Sequence, residues 1–166
     1  MLRGTVMQVS VSKGGLPKFA VAEAWAGPLG LEGDVQAHTA IHGGPRKALL
    51  LVSDEDLEWL RGQGFPVRAG SLGENLTVRG IDFRQVREGM RFRAGGAAIE
   101  LTTRRQPCLQ LDPYNAGAEA RIQAAVYEKD GQPGSDKWAR AGFYAAVVKT
   151  GLIRVDDRIE LIDVQA

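Results

Sequence analysis

Most hydrophobic positions along the chain fall in short segments with the spacing of β-strands. From Thr5 to Val11, apolar and polar residues alternate, which predicts a strand with one buried face. Ala48 to Val52 is an unbroken apolar run, typical of a strand that is buried on both faces. The same reasoning predicts further strands at residues 19–24, 76–78, 144–148 and 158–162, a loop at 27–33, and a hairpin over 90–103.

Two helices are predicted between these strands. Ser53 is followed three residues later by Asp56, a pattern similar to a capping box, and then by an apolar stripe that ends near Gly62. Asn115 predicts the N-cap of a second helix over residues 116–127. Many short strands with few helices indicate a mainly β fold of the α+β class, either a barrel or a curled sheet.

Length and composition predict that residues 1–166 form one soluble globular domain. Hydrophobic residues make up 44% of the chain, and 21 basic residues nearly balance 20 acidic ones. This balance disfavours a nucleic-acid partner, because such proteins usually carry an excess of basic residues. No apolar run approaches the roughly 20 residues needed to cross a bilayer, and the N-terminus lacks the apolar region of a signal peptide. With a single cysteine and so no intramolecular disulfide, we expect a cytoplasmic protein without a membrane partner.

That cysteine, Cys108, is the first candidate for chemistry. It follows Arg104-Arg105-Gln106-Pro107, just past the end of a predicted strand. Two guanidinium groups nearby favour the thiolate, which is the form that binds soft metals or attacks an electrophile. Pro107 stiffens the approach to the sulfur. Taken alone, however, the residue is more simply explained as a small buried hydrophobic side chain.

Two glycine-containing clusters offer groups that can bind a polar ligand. In His42-Gly43-Gly44, backbone N–H groups can approach an anion, and Arg46 or Lys47 can neutralise its charge. Farther along, glycines bracket Glu74 and Asn75, whose side chains can bond the edge of a polar heterocycle. Each cluster can also be explained as an ordinary turn with no ligand, and the local sequence favours that simpler interpretation.

Two other kinds of site receive little support. Asp34, His38 and His42 could be proposed as zinc ligands, but their spacing suits a helix and the neighbouring glycines and β-branched residues disfavour one. A serine hydrolase has no support because the sequence has no Gly-x-Ser-x-Gly segment.

The order and spacing of these clusters resemble those of the MOSC family, which is named for the C-terminal domain of molybdenum cofactor sulfurase. The resemblance is to the small stand-alone members of that family. The similarity runs from Val9 to Ile159. Its matching segments are Gly33-Asp34, His42-Gly43-Gly44 with Lys47, Gly73-Glu74-Asn75-Leu76, Arg105-Gln106-Pro107-Cys108, and Gly142-Phe143-Tyr144-Ala145 with Gly151. The resemblance implies a closed, mostly antiparallel β-barrel with a few short flanking helices.

The resemblance also implies that Cys108 is the functional residue. In characterised relatives the corresponding cysteine ligates the molybdenum of a pyranopterin cofactor, and the enzymes reduce N-hydroxylated compounds. Two alternatives stay open. In one, Cys108 is a sulfur carrier that accepts persulfide sulfur from a pyridoxal-phosphate-dependent cysteine desulfurase. In the other, the chain is a non-enzymatic module that binds the cofactor.

The molybdenum hypothesis assigns roles to the remaining candidates. Lys13, Arg46, Lys47 and Arg105 would meet the cofactor's phosphate or pterin, while Glu74, Asn75 and the backbone of His42, Gly43 and Gly44 would bond the ring edges. A single cysteine cannot hold an iron–sulfur cluster, so electrons for a small-molecule substrate must come from a separate donor protein. One departure concerns the residues after Lys47. The family often has an aromatic residue there, whereas this chain has Ala48-Leu49-Leu50-Leu51.

Overall fold

A computed structural model describes residues 2–35, 44–115 and 120–164 of the chain. The strands within these ranges are β1 (Arg3–Val11), β2 (Phe19–Val21), β3 (Glu23–Gly27), β4 (Gly30–Leu31), β5 (Leu49–Ser53), β6 (Leu76–Arg79), β7 (Met90–Ala94), β8 (Ala97–Arg104), β9 (Phe143–Lys149), β10 (Gly151–Arg154) and β11 (Arg158–Val164). The α-helices are α1 (Asp54–Gly62) and α2 (Ile122–Val126), and short 3-10 helices cover Pro45–Lys47, Phe83–Gln85 and Leu109–Asn115.

Seven of the strands close into a barrel, in the order β11-β7-β8-β9-β5-β6-β1, with β1 pairing back to β11 and β2 added at the side of β1. Among the described pairings only β5 with β6 is parallel, and α1 lies in the connection between these two strands, as a parallel pair requires. A smaller sheet has the order β10-β3-β4. The predicted closed, mostly antiparallel barrel is therefore confirmed.

Two hydrophobic clusters explain why β5 is apolar from Leu49 to Val52. Leu49 and Leu51 pack in the large cluster inside the barrel, while Val52 packs in a second cluster beneath α1. Leu57 and Leu60 of α1 are fully buried in that second cluster. Because a strand that is covered on both faces has no side chain facing solvent, the unbroken apolar run correctly predicted a strand buried on both faces.

The two helices match their predicted starts differently. Ser53 Oγ accepts a hydrogen bond from the Asp56 N–H at 3.3 Å, which confirms the predicted start of α1. The prediction that Asn115 is the N-cap of a helix over 116–127 was wrong, because α2 covers only residues 122–126 and its N-cap is Arg121. Asn115 Oδ1 instead reaches across the chain to accept from the Ile122 N–H at 2.6 Å. Residues 116–119 of that prediction lie outside the described ranges. No helix within the described ranges is long and apolar enough to span a membrane.

The prediction of one strand over residues 19–24 was wrong. The chain leaves the barrel at Ala22, whose carbonyl accepts a hydrogen bond from the Val155 N–H, and continues as β3 in the smaller sheet. The predicted loop at 27–33 contains the two-residue strand β4. Strand β10 was missed because it has only four residues and begins at Gly151.

Candidate functional site

The candidate site is built where β8 ends and β9 begins. The two strands are paired at Arg104 with Phe143, and the Arg105 N–H donates to the Gly142 carbonyl at 2.8 Å. Gly142 has φ of 113°, and a Cβ there would lie 2.9 Å from the Leu51 carbonyl oxygen. Glycine at this position therefore allows the chain leading to Cys108 to lie against β9 and β5.

Arg105 lies in the interior beside this junction, with only 4% of its surface exposed. Its Nη1 donates to the Ala141 carbonyl at 3.0 Å. Its buried Nε finds no hydrogen-bond partner within the described part of the chain. A buried guanidinium donor without an acceptor is costly, so this group is suited to an acceptor beyond those that the described residues provide.

Tyr144 lies close to both Arg105 and Cys108. Burial raises the pKa of its phenol, the charge of Arg105 opposes that rise, and Cys108 adds to it. Tyr144 is therefore within electrostatic range of both Arg105 and Cys108. With its pKa raised, Tyr144 keeps its hydroxyl proton at neutral pH.

Lys47 joins this cluster from a different part of the sequence. It ends the 3-10 helix before β5, and β5 pairs with β9 so that Leu50 is opposite Tyr144. The Lys47 Nζ lies 5.0 Å from the centre of the Tyr144 ring, a cation–π contact. Three of the segments singled out in the sequence thus meet here, and they bring Lys47, Arg105, Cys108 and Tyr144 together.

Cys108 is partly exposed, and its backbone is fixed from two sides. Its carbonyl accepts hydrogen bonds from the Leu111 N–H at 3.2 Å and from Gln123 Nε2 at 3.1 Å. The first bond is made within the 3-10 helix and the second comes from α2. The sulfur is therefore presented from a braced segment while remaining accessible.

Arg104 does not act as a second guanidinium of this cluster. Its Nη2 donates to the carbonyls of Glu128 and Lys129, both at 2.8 Å. Its guanidinium also lies 4.5 Å from the Tyr127 ring centre and 5.0 Å from that of Trp138. The expectation that both arginines lie near Cys108 was therefore wrong for Arg104, whose contacts hold the segment around residues 127–138 in place.

Glu74 is fully buried and binds its own loop. One carboxylate oxygen accepts from the Gly70 N–H and the Thr77 hydroxyl, both at 3.0 Å, and the other accepts from the Leu72 N–H at 3.2 Å. Burial raises the pKa of Glu74, and the hydrogen bonds and the more distant Arg105 charge oppose the rise. Glu74 therefore holds the loop between α1 and β6 in shape.

Asn75 connects several parts of the chain. Its Oδ1 accepts from the Leu50 N–H at 3.1 Å, and its Nδ2 donates to Asp34 Oδ2 at 2.8 Å. Asp34 also accepts from the Ser12 N–H at 2.9 Å and pairs with Lys18 Nζ at 2.6 Å. Lys18 is only 7% exposed and was missed, because no pattern in the sequence distinguishes it from an ordinary surface lysine.

Comparison with known proteins identifies the family to which this arrangement belongs. The MOSC domain family matches the chain over residues 38–160. The chain belongs to the MOSC domain family. The MOSC resemblance inferred from the sequence is therefore confirmed.

Two curated relatives of this MOSC domain are longer than the chain. The protein YiiM of Escherichia coli strain K12 is 33% identical over 140 residues, which is 81% of this chain and 57% of YiiM. The uncharacterized protein YflK of Bacillus subtilis strain 168 is 31% identical over 134 residues, which is 79% of this chain and 55% of YflK. The chain thus spans little more than half the length of these relatives.

Solved structures support the same fold. The crystal structure of Escherichia coli YiiM aligns with a TM-score of 0.70 at 25% identity, covering 100% of this chain and 72% of that one. YiiM of Geobacillus stearothermophilus aligns with a TM-score of 0.73 at 23% identity, covering 96% of this chain and 75% of that one. At 23% identity the second likeness shows the fold alone.

The remaining candidates of the MOSC domain are spread around the site. Gly44 and Lys13 are exposed, and Arg46 Nη1 lies 3.3 Å from Glu100 in an exposed ion pair. His38, His42 and Gly43 lie outside the described residues, so the suggested zinc ligands and the His-Gly-Gly backbone stay predictions. Within the part that is described, no group of three or more His, Cys, Asp or Glu side chains is placed to hold a metal ion.

Proposed function

We propose that this MOSC domain binds a molybdenum cofactor through the thiolate of Cys108 and reduces N-hydroxylated compounds. The observation that carries the proposal is the arrangement around Tyr144, which contacts Lys47 and lies within electrostatic range of both Arg105 and Cys108 where β8 ends and β9 begins. A soft sulfur ligand beside cationic groups suits a metal whose cofactor carries a phosphate.

The side chains present fit such a group in two respects. The buried Nε of Arg105, which has no acceptor among the described residues, can donate to a polar ring or a phosphate. Cys108 offers one thiolate without a surrounding cluster of other metal ligands in the described ranges. A metal held there would need further ligands from the bound group itself, and a dithiolene supplies them.

The cofactor and the protein side chains would have different roles in the reaction. The chemistry that the cofactor supplies when bound is the two-electron removal of an oxygen atom. Reducing an N-hydroxyl group to N–H also consumes two protons and releases one water. Tyr144 keeps its proton at neutral pH because burial raises its pKa, so its hydroxyl would donate a hydrogen bond to the departing oxygen, while the two protons consumed would come from solvent. The electrons would come from a separate donor protein.

The other predicted contacts take different roles in this proposal. The side chains of Glu74 and Asn75 make hydrogen bonds within the protein. We therefore propose that they maintain the conformation of the surrounding loops and do not contact the ligand directly. Lys13 and Arg46 are exposed and would reach only the outer part of a bound cofactor, such as its phosphate.

Metal and pterin analysis of protein expressed in a cofactor-competent host tests this proposal. Molybdenum and pterin should co-purify with the wild type and be lost in Cys108→Ser. The matched control, Gln110→Ala, changes a residue in the 3-10 helix that directly follows Cys108 and should retain both. Loaded wild type should also reduce an amidoxime with an artificial electron donor. Equal molybdenum content in wild type and Cys108→Ser would refute the role of Cys108.

The partial exposure of Cys108 also suits a sulfur carrier, which needs an accessible thiol. If neither protein contains molybdenum while a control enzyme from the same host is loaded, this second function replaces the first. Incubation with cysteine and a pyridoxal-phosphate-dependent desulfurase should then place a persulfide on Cys108. Molybdenum without reductase activity would instead favour a cofactor-binding module.

A further inference from the structure

Cys108 follows a stretch of chain with few hydrogen bonds. The backbone N–H of Arg105 is bonded to Gly142, but Gln106 and Pro107 make no hydrogen bond to any described residue. The next group that is bonded is the carbonyl of Cys108 itself. The orientation of the cysteine therefore depends strongly on the donors that bond this carbonyl.

Two donors bond the Cys108 carbonyl, and they differ in what they connect. The Leu111 N–H, at 3.2 Å, belongs to the 3-10 helix that directly follows Cys108, so this bond is local and moves with the segment. The second donor is Gln123 Nε2, at 3.1 Å, which belongs to α2. Of the two donors, only Gln123 ties Cys108 to a separate element of the fold.

The helix that carries Gln123 is anchored in the core, although it has only five residues. Ile122 and Val126 are fully buried in the second hydrophobic cluster, and Leu111 of the 3-10 helix is fully buried in the same cluster. Gln123 follows Ile122 directly and is partly exposed. Its backbone thus has a fixed position from which the side chain can hold Cys108.

Neighbouring side chains set the orientation of the Gln123 amide. Its Nε2 also donates to Asp112 Oδ1 at 2.9 Å, and its Oε1 accepts from Asn115 Nδ2 at 3.2 Å. Asp112 Oδ1 in turn accepts from Arg121 Nη2 at 2.8 Å. The reversed amide would place its oxygen against the Cys108 carbonyl and the Asp112 carboxylate, which are both acceptors. The network therefore directs a donor, and not an acceptor, at the Cys108 carbonyl.

We propose that Gln123 is a positioning residue for Cys108, acting through the hydrogen bond from its side-chain amide to the Cys108 carbonyl. The bond holds the cysteine in one backbone conformation and so fixes the direction in which its sulfur is presented. This inference rests on the proposed function, because groups that orient a metal ligand commonly contribute about 10- to 100-fold to metal affinity or activity. The hydrogen bond itself is present without cofactor, so it can be tested on the protein alone.

Two substitutions separate the donor from the bulk of the side chain. Gln123→Met keeps an unbranched side chain of similar length but removes its donors, whereas Gln123→Lys keeps a group that can donate to the same carbonyl. Gln110→Met is the matched control, because Gln110 is partly exposed in the neighbouring 3-10 helix and its side chain has no hydrogen-bond partner among the described residues. Urea unfolding first establishes that each variant is folded.

The first readout needs no cofactor and uses the fact that the chain has a single cysteine. Protein labelled with carbon-13 at the cysteine carbonyl gives one such NMR signal, which should move upfield in Gln123→Met because a donated hydrogen bond is lost. Alkylation of Cys108 by iodoacetamide should become about twofold to tenfold faster in this variant, as expected when one ordinary hydrogen bond no longer opposes local opening. Gln123→Lys and Gln110→Met should stay close to wild type in both measurements.

The second readout is the molybdenum content of protein from a cofactor-competent host. Gln123→Met should retain about tenfold less molybdenum than wild type, while Gln123→Lys and Gln110→Met retain most of it. The positioning role is overturned if Gln123→Met matches wild type in carbonyl signal and alkylation rate, if it retains as much molybdenum as a loaded wild type, or if Gln123→Lys behaves like Gln123→Met. If wild type itself contains no molybdenum, the proposed function fails, and the carbonyl signal and alkylation rate still decide the role of Gln123.

Discussion

The amide of Asn75 donates from Nδ2 to Asp34 Oδ2 at 2.8 Å, although the two residues are 41 positions apart in the sequence. Asp34 also receives Lys18 Nζ at 2.6 Å, and Asn75 accepts from the backbone of Leu50 in β5. This buried polar network joins the loop after β1, the segment after β4 and the start of β6. Two of the short motifs that suggested the MOSC family are thus structural partners of each other.

Asn75→Ala should destabilise the protein strongly. Removing the amide leaves the buried Leu50 N–H without its acceptor and takes one of three donors from the Asp34 carboxylate, which keeps Lys18 and the Ser12 N–H. We expect a loss of about 2–4 kcal/mol in the free energy of unfolding. Urea unfolding measures this loss. Gln132→Ala, at an exposed turn, is the control and should change stability by less than about 0.5 kcal/mol. Similar stability of the two variants would show that the network contributes little.

Gly142→Ala should also destabilise the protein, for a different reason. The residue has φ of 113°, and an added Cβ would lie 2.8 Å from Leu50 Cδ1 and 2.9 Å from the Leu51 carbonyl. We expect a loss of about 2–4 kcal/mol, again measured by urea unfolding. Gly134→Ala is the control, since Gly134 also has a positive φ of 94° but no atom would lie within 4 Å of its Cβ. If Gly134→Ala costs as much, backbone strain alone accounts for the effect.

The features that the sequence predicted well are local ones. The apolar run of β5 and the Ser53 cap depend on neighbouring residues, and both lie within a residue of their predicted positions. The barrel class followed from the number of short strands, and its closure from the family resemblance. Strand β10 was missed although β6, of equal length, was predicted, because β10 begins at a glycine and so has only Leu152 and Ile153 as strand-forming residues.

The candidate site was predictable only in part, because its contacts are made between distant segments. Cys108, Arg105 and Lys47 were named from the sequence, but the sequence did not indicate that Arg104 would contact residues 127–138 instead of the site. Adjacent strand residues point to opposite faces, which separates the two arginines. Tyr144 was recognised as part of a strand, and its place beside Cys108 depends on how β8 and β9 pair.

Arg105→Lys should reduce cofactor retention more than it reduces stability. Lysine keeps the charge but lacks the fixed Nε donor and the planar fork. If the proposed function holds, the molybdenum content should fall at least about tenfold, while the free energy of unfolding falls by about 1–2 kcal/mol. The control is Arg104→Lys, which weakens contacts to Tyr127 and Trp138 and should lower stability while retaining most of the molybdenum. Equal molybdenum loss in the two variants would argue against a specific role for Arg105.

Asp56 should give the protein a distinct dependence of stability on pH. Burial raises its pKa from 3.8 to about 6 in the folded protein, so the folded state holds this proton more tightly than the unfolded state does. The stability that this group contributes is therefore complete below about pH 4 and is lost as pH rises through about 6. Since a shift of one pKa unit corresponds to about 1.4 kcal/mol, the loss should be on the order of 1–3 kcal/mol.

Urea unfolding of wild type and Asp56→Asn at several pH values between 4 and 7 isolates this contribution, because most other groups titrate alike in both proteins. The variant loses the Arg140 ion pair at every pH, so its absolute stability is less informative than its slope. From pH 4 to pH 7, wild type should lose stability relative to Asp56→Asn, whereas Glu88→Gln should follow wild type. Parallel curves for wild type and Asp56→Asn would mean that the folded structure solvates the Asp56 carboxylate well.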